Sequence, residues 1–233
     1  MRALLRARRG ELLRLSLSVI IPTLNAAAHL PTCVEALGDV EELVVVDGGS
    51  VDETTALAAA LGAPVVKAAR GRGAQLSAGA AAATGDWLLF LHADTLLGKG
   101  WFDAARKHMT ARPDEAAYFG FRLADPAWQA RLIEVGVKLR TGALALPYGD
   151  QGLLISRRLY EQVGGFRALP LMEDVDLVRR LGRKRLRQLP VPAVTSAERW
   201  RRDGWWQRSA RNLSCLALYA LGASPEQIAR RYS

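Results

Sequence analysis

Four short apolar runs, Leu17–Ile21, Leu43–Val46, Val65–Lys67 and Trp87–Leu91, alternate with helical stretches in the first part of the chain. The runs are unbroken rather than alternating in polarity, which is the pattern of strands buried on both faces. Strand–helix repeats of this kind build an α/β layer structure with a parallel sheet covered by helices. Pro22-Thr-Leu-Asn25 reads as the exit turn of the first strand, leading into a helix that ends near Leu37 with Pro31 in its first turns. Further helices are expected over 52–61, capped by Ser50 or Asp52, and over the Ala-rich 75–83. Ligands of such sheets bind beyond the carboxyl ends of the strands. That edge is where Asn25, Asp47, Ser50, His92 and Asp94 collect.

After Thr110 the regularity loosens. Strands are expected over 116–123 and 152–155, and helices over 126–140, 157–163 and 173–181. No Gly/Ser/Pro linker divides the chain. The expected organisation is one folded domain over 16–196, a basic and aromatic helical extension of the same compact unit over 197–233, and a basic segment over 1–15. Half of the residues are hydrophobic and 24% are charged, which excludes a disordered chain. Cys33 and Cys215 lack metal-ligand spacing, so two reduced, buried thiols are favoured over a single disulfide. No uncharged apolar run approaches the ~18 residues of a membrane span, the longest candidate lying around 213–223. Arg2, Arg6, Arg8 and Arg9 resemble the start of a secretory signal, but Glu11 and Arg14 interrupt any apolar stretch behind them. A cytoplasmic protein, soluble or peripheral on the inner face of the cell membrane, is expected.

The net charge of +9 is concentrated at the two ends. Residues 1–14 hold five Arg against one Glu, and residues 179–233 hold thirteen Lys/Arg against three acids. Residues 15–178 carry fourteen basic and nineteen acidic side chains. A basic excess outside the patterned body argues against a nucleic-acid partner.

His92-Ala-Asp94 places an imidazole and a carboxylate on one side of an extended segment, because side chains two apart share a face. The pair suits a divalent cation held largely by substrate phosphates, or else a core histidine bonded to Asp94. Asp47 either converges on the same crevice or caps the next helix. Arg70 and Arg72 flank Gly71 ahead of a helix, where they reach a diphosphate together with helix N–H groups or form a solvated loop. Glu173, Asp174 and Asp176 mark either a chemical centre or a helix N-terminus. His29 and His108 have no partner in sequence and are expected at the surface.

Ser18-Val-Ile-Ile-Pro-Thr-Leu-Asn25 and Glu42-Leu-Val-Val-Val-Asp-Gly-Gly-Ser50, with Asp52 and Thr54, closely resemble the opening of family-2 glycosyltransferases of the GT-A fold. Phe90-Leu-His-Ala-Asp94 stands where that family has its Asp-x-Asp metal motif. Gly164-Gly-Phe166 followed by Met172-Glu-Asp-Val-Asp-Leu177 resembles its Gly-Gly-Phe…Glu-Asp segment. The resemblance implies a Rossmann-like, mostly parallel sheet flanked by helices, with a C-terminal helical tail. It also implies inverting sugar transfer from a nucleotide-sugar donor to a hydroxyl, assisted by Mg2+ or Mn2+. Asp94 and His92 would then hold the metal, and Pro22, Thr23, Asn25, Asp47, Gly48, Asp52, Arg70, Arg72 and Ala93 would contact the donor. Arg199 would meet the diphosphate, Asp150, Gln151 and Trp200 the acceptor, and Asp174 would act as base with Glu173 orienting it. Two departures stand out: Gly48 replaces a frequent second Asp, and His92 replaces the first Asp of the metal motif. Ser196-Ala-Glu-Arg-Trp200 keeps Arg199 and Trp200 of the processive signature without its Gln, which favours single addition. The Asp-Gly-Gly-Ser turn and the tail resemble a bacterial subgroup associated with radical-SAM and selenoprotein neighbours.

A dinucleotide oxidoreductase would need a Gly-x-Gly-x-x-Gly turn after the first strand, where this chain has Pro-Thr-Leu-Asn25. A sugar nucleotidyltransferase would place a Gly-rich loop there. A silent nucleotide-sugar or membrane-binding module would not need Asp94 and Asp174. In the tail, Trp206, Ala210, Leu213, Ala217 and Ala220 fall on one helical face, and residues 198–211 hold five Arg and three Trp. That composition suits an interfacial helix on an anionic membrane, near a lipid-linked or amphiphilic acceptor. The alternative is a helix packed on the sheet, with Trp200 lining the acceptor site.

Overall fold

The computed structural model of the chain describes residues 15–232. The basic segment expected over 1–15 lies, but for its last residue, outside the described residues. Eight strands form one sheet: β1 (Leu17–Thr23), β2 (Glu42–Asp47), β3 (Val65–Lys67), β4 (Trp87–Phe90), β5 (Thr95–Leu97), β6 (Ala116–Leu123), β7 (Leu153–Ser156) and β8 (Leu186–Thr195). Their order is β3-β2-β1-β4-β7-β6-β8-β5. The first four pair in parallel, as the unbroken apolar runs require. β6 joins β8 in parallel, whereas β7 joins both β4 and β6 antiparallel and β5 joins β8 antiparallel, so the sheet is mixed, with four of the seven pairings among the described residues parallel.

Side-chain alternation splits the core between the two faces of the sheet. Val19, Ile21, Val45 and Leu89 pack on one side with Leu30, Cys33 and Trp101. Ile20, Val44, Val46, Leu88 and Phe90 pack on the other with Leu76, Phe166 and Leu177. The covering helices include α1 (Leu30–Leu37), α2 (Thr54–Ala60), α3 (Arg72–Ala82), α4 (Trp101–Ala111), α5 (Trp128–Leu144), α6 (Arg157–Gln162) and α7 (Glu173–Leu181). Cys33 and Cys215 are buried and unpaired, and burial pushes the Cys33 thiol up to about 12.

The Gly164-Gly-Phe segment is a positioning device. Gly164 and Gly165 have φ of 78° and 56°, a region glycine enters without penalty. The chain turns so that Phe166 N–H donates to the Tyr160 hydroxyl at 2.9 Å, and the Phe166 ring meets Phe90 edge-on at 4.9 Å. The next residues cross the start of α3, where a Cβ on Gly73 would lie 2.2 Å from the Arg167 carbonyl oxygen. The N-terminus of α7, with its acids, is thereby held beside the N-terminus of α3.

The tail forms α8 (Glu198–Asp203), α9 (Trp205–Ala220) and α10 (Pro225–Tyr232). α9 and α10 pack on α7, Cys215 and Ile228 joining Met172 and Val175 in a small core of their own, while α8 lays Trp200 against Phe121 and Leu123 at the end of β6. Among the described residues no helix is long and apolar enough to cross a membrane.

Candidate active site

The turn after β2 forms the floor of the site. Asp47 is buried and accepts from Gly49 N–H at 2.9 Å, Ser50 N–H at 3.0 Å, and the Ser50 and Thr23 hydroxyls. Burial pushes this carboxyl up, but the Ser50 and Gly49 donors outweigh it and hold Asp47 below the usual carboxylate range. Asp52 accepts from Ala27 N–H and Thr54 N–H, each at 3.1 Å, tying the 24–27 loop to the start of α2. Asn25, with φ of 52°, accepts from Val51 N–H and donates its own N–H to Ser50 Oγ, each at 2.9 Å. Asp47 and Asp52 brace the floor through these bonds, Asp52 while exposed to solvent.

Gly48 has a physical reason. A Cβ there would meet the Gln75 side chain at 2.9 Å. Gln75 is buried and donates its amide to the carbonyls of Thr23 at 2.7 Å and Val46 at 2.9 Å. It fills the space into which a second Asp would project. Gly48→Asp alone is expected to destabilise the fold by roughly 1–3 kcal/mol, and the loss should shrink when Gln75→Ala is added. Additive losses in a thermal-denaturation cycle would show that the two positions do not compete for one space.

Over this floor a cleft is lined by Pro22, Thr23, Asn25, Arg70, Arg72, Ala93 and Arg199, with Gln75, His92 and Asp94. A second cavity shares Arg72, His92, Asp94 and Arg199 and extends to Tyr148, Gly149, Asp150, Asp174, Trp200, Arg208 and Asn212. Asp94 thus stands where the two spaces meet. Arg72 lies in the first turn of α3, not ahead of it, and its Nε is 2.8 Å from Glu173 Oε1. Glu173 is buried, and burial raises its carboxyl, with Arg72 opposing and Asp174 adding to the rise. It holds Arg72 and lines, with His92 and Asp174, a smaller pocket beside the second cavity rather than that cavity itself.

His92 is kept neutral. Burial and then the Arg72 cation bring it down to about 4, against the opposing charge of Asp94. Among the described residues it makes no hydrogen bond to Asp94, which accepts only a long 3.5 Å contact from the Thr95 hydroxyl. The core-histidine alternative is thus not what forms. Asp174 accepts Gly149 N–H at 2.8 Å and Val175 N–H at 2.7 Å, so backbone groups fix its plane. Gly149 is needed there: a Cβ would lie 2.7 Å from His92 Nε2.

Asp150 has an enclosed Oδ1 with no hydrogen-bond partner. Burial raises its carboxyl to about 6; Arg140 opposes the rise, and Asp174 and Asp94 add to it. A raised carboxyl lends stability that is complete below the unfolded value and lost as pH climbs through the folded one. Asp150→Asn is therefore expected to stabilise the metal-free protein by about 1–2 kcal/mol near pH 7.5 and hardly at all near pH 4. An equal melting temperature for both proteins near pH 7.5 would mean that this carboxyl is well solvated. Gln151, in contrast, is buried in the core, donating to Phe119 O at 3.1 Å and accepting from Tyr148 N–H at 3.3 Å. It fastens the turn that presents Asp150 and does not line the cavity.

Trp200 is buried at the cavity wall, its Nε1 unpartnered among the described residues, with the Arg208 guanidinium 5.0 Å from its ring centre. Tyr148, Arg208 and Asn212 complete the wall although no motif marks them. Only the placement of α9 over the cavity brings the latter two in. His108, expected at the surface, is buried, bonded to Glu115 O at 2.8 Å and edge-on to Trp87. His29 pairs with Glu198 at 3.2 Å.

A sheet of this order, with a cleft at the ends of β1 and β4, has the GT-A type of fold. Residues 18–132 match the family described as Glycosyl transferase family 2. A PGL/p-HBAD biosynthesis glycosyltransferase of Mycobacterium bovis (strain BCG / Pasteur 1173P2) is 45% identical over 92 residues, 34% of this chain and 36% of that protein. A glucosyl-3-phosphoglycerate synthase of Mycolicibacterium smegmatis is 36% identical over 95 residues, 35% of this chain and 31% of that protein. The matched segment thus spans only about a third of each curated relative. Among solved structures, the Mycobacterium tuberculosis glucosyl-3-phosphoglycerate synthase with Mn2+, UDP and glucosyl-3-phosphoglycerate superposes with a TM-score of 0.55 at 22% identity, over 84% of this chain and 74% of that one. S. aureus TarS 1–349 with UDP-GlcNAc superposes with a TM-score of 0.59 at 17% identity, over 77% and 58% of the two chains.

Proposed function

We propose that this chain transfers a single sugar from a nucleotide-diphosphate sugar to a hydroxyl acceptor, with inversion and with the help of Mg2+ or Mn2+. The observation that carries the reading is the position of Asp94 between two joined spaces, one lined by Arg70, Arg72 and Arg199 and the other by Asp150 and Asp174. The residues present fit a hard divalent cation: a neutral His92, a half-buried Asp94 carboxylate and an enclosed, unpartnered Asp150 oxygen. Among the described residues no three such side chains converge, so donor phosphates would complete the shell around His92 and Asp94. When bound, the ion offsets the charge of the departing nucleoside diphosphate.

The remaining steps belong to the chain's own groups. Arg70, Arg72 and Arg199 hold the diphosphate, and buried Glu173 keeps Arg72 in place. Asp174, its plane set by the N–H groups of Gly149 and Val175, takes the acceptor proton on the face opposite the leaving group. Asp150 orients the acceptor, and Trp200 supplies a flat apolar wall. Residues 16–196 form the transferase domain, and 197–233 complete its acceptor side through Arg199, Trp200 and Arg208. The Asp-Gly-Gly-Ser turn and the tail support membership of the radical-SAM-associated subgroup. A lipid-linked or amphiphilic acceptor, met by a cytoplasmic protein at the inner membrane face, agrees with the aromatic wall.

A thermal-shift panel of UDP, GDP and NAD with and without Mn2+ tests the reading. A metal-dependent shift with UDP or GDP is expected. An NAD shift alone, or none, would overturn it, and pyrophosphate release from a nucleoside triphosphate and sugar phosphate would assign a nucleotidyltransferase instead.

A further inference from the structure

Helices α5 and α9 are apolar on the side that faces away from the molecule. On α5, Trp128, Leu132, Val135 and Leu139 recur at the spacing of one helix face and are 62%, 50%, 54% and 67% exposed. On α9, Trp206, Ala210, Leu213 and Ala217 do the same, with Trp206 54% and Leu213 61% exposed. On the inner side of α9, Arg208 is buried over Trp200, and Arg208 and Arg211 both bind Asp203, while Gln207 and Ser214 are exposed. The helix thus buries Cys215 on its inner side and still turns a second, apolar stripe toward solvent, where an ordinary surface helix is polar. The two stripes meet where the Trp128 and Trp206 rings lie 6.0 Å apart. Scattered exposed apolar residues need no explanation, but a joined two-helix face does.

The charge around this face selects its occupant. Helices α5, α8 and α9 hold eight Lys/Arg against three acids. Each acid is engaged: Glu134 by Arg131 at 3.0 Å, Glu198 by His29 at 3.2 Å, and Asp203 by Arg208 at 2.7 Å. Of the cations, Arg199 and Arg208 face the cavity, Arg201 pairs with Asp125 and Arg202 with Asp203, and Lys138 on α5 and Arg122 ahead of it are exposed. A second copy would bring the same cationic surround against itself, and like charges at an interface are unfavourable. A leaflet of anionic lipid brings the opposite charge and an apolar interior, and Trp is enriched where the two meet.

We propose that the α5–α9 face docks on an anionic lipid leaflet, with Trp128 and Trp206 in the headgroup layer. The inner side of α9 supplies Arg208, Asn212 and Cys215 to the second cavity, so docking sets that cavity about one helix diameter, roughly 10 Å, from the lipid surface. Only this last consequence, access to a lipid-borne acceptor, rests on the proposed reaction.

Flotation of the full chain with vesicles of phosphatidylglycerol and phosphatidylcholine, against phosphatidylcholine alone, tests the docking. Strong flotation with the anionic vesicles at low salt is expected. Leu132→Gln, Leu139→Gln and Leu213→Gln together change only exposed positions, and they should lower the bound fraction about ten-fold while circular dichroism stays unchanged. Lys138→Gln with Arg202→Gln should weaken binding in the way added salt does. Wild-type protein left in solution, or a triple variant that floats equally well, would overturn the proposal. A dimer that the triple variant dissolves, read by light scattering, would assign the face to a second copy. Loss of flotation on deleting residues 1–14 would assign attachment to that segment. The measurement uses neither donor nor acceptor, so its failure and the failure of the transferase reading are separate events.

Discussion

Asp174→Asn is expected to lower sugar transfer by roughly 10²–10⁴-fold while leaving nucleoside diphosphate affinity within a few-fold, the usual worth of a general base. Asn has nearly the same shape but cannot accept the proton. The geometry adds a second consequence. Both oxygens of Asp174 accept backbone N–H groups, from Gly149 and Val175. An Asn side chain can keep only one of these bonds, since its NH2 would face the other donor. The 149–151 turn should therefore loosen, and the acceptor KM should rise along with the fall in kcat. Calorimetry with UDP or GDP separates this from a general loss of fold. Full turnover in a folded variant would move the base elsewhere, and Asp150, with its enclosed and unpartnered Oδ1, is the next carboxylate in the same cavity.

The parts of this molecule that depend on local pattern are readable in the chain, and those that depend on distant partners are not. The four parallel strands announce themselves as unbroken apolar runs, and the strand over Ala116–Leu123 and the helix over Glu173–Leu181 form with the expected bounds. β8 escapes because Pro190 and Pro192 sit inside it, and proline ordinarily argues against a paired strand. It is accommodated beside β6 where the register shifts between Tyr118 and Gly120. β5 is only three residues long, and α4 begins after Gly100 without a capping side chain to mark it. At the site, Asp94, His92 and Asp174 meet in one cavity as their positions at element ends suggest. The bracing bonds of Asp47, Asp52, Glu173 and Gln151 are not legible in the chain, because a polar residue near a crevice is equally able to brace it or to face a ligand. Only the partners decide: Ser50, Thr54, Arg72 and Phe119. Gln75 carries no sequence signal at all, since a Gln in an Ala-rich helix looks like surface until the carbonyls of Thr23 and Val46 are found above it. In the tail, the apolar stripe of α9 that the spacing marks faces outward, whereas the burial of Arg208 has no signal in the sequence.

Asp94→Ala is expected to abolish metal-dependent binding of a nucleoside diphosphate, and His92→Ala only to weaken it. A hard divalent ion prefers carboxylate oxygen over imidazole nitrogen, so the two candidate ligands should not be equivalent. Asp94 also lines both the donor-side cleft and the acceptor-side cavity, and its carboxylate has no strong partner in the protein that would compete with an ion. His92 is neutral through the physiological range, because burial and Arg72 keep it down at about 4. A lone pair is thus available, yet Nε2 sits close against Gly149. Removing the Asp94 carboxylate leaves Arg72 and Arg199 to bind the diphosphate by charge alone. That residual binding should be insensitive to Mn2+ and should fall steeply with salt. Calorimetric titration of UDP or GDP, with and without Mn2+, reads both variants directly. Equal losses would make His92 a full ligand beside Asp94. A metal dependence that survives Asp94→Ala would move the ion to Asp150 and Asp174, and Asp174 would then be a ligand rather than the base.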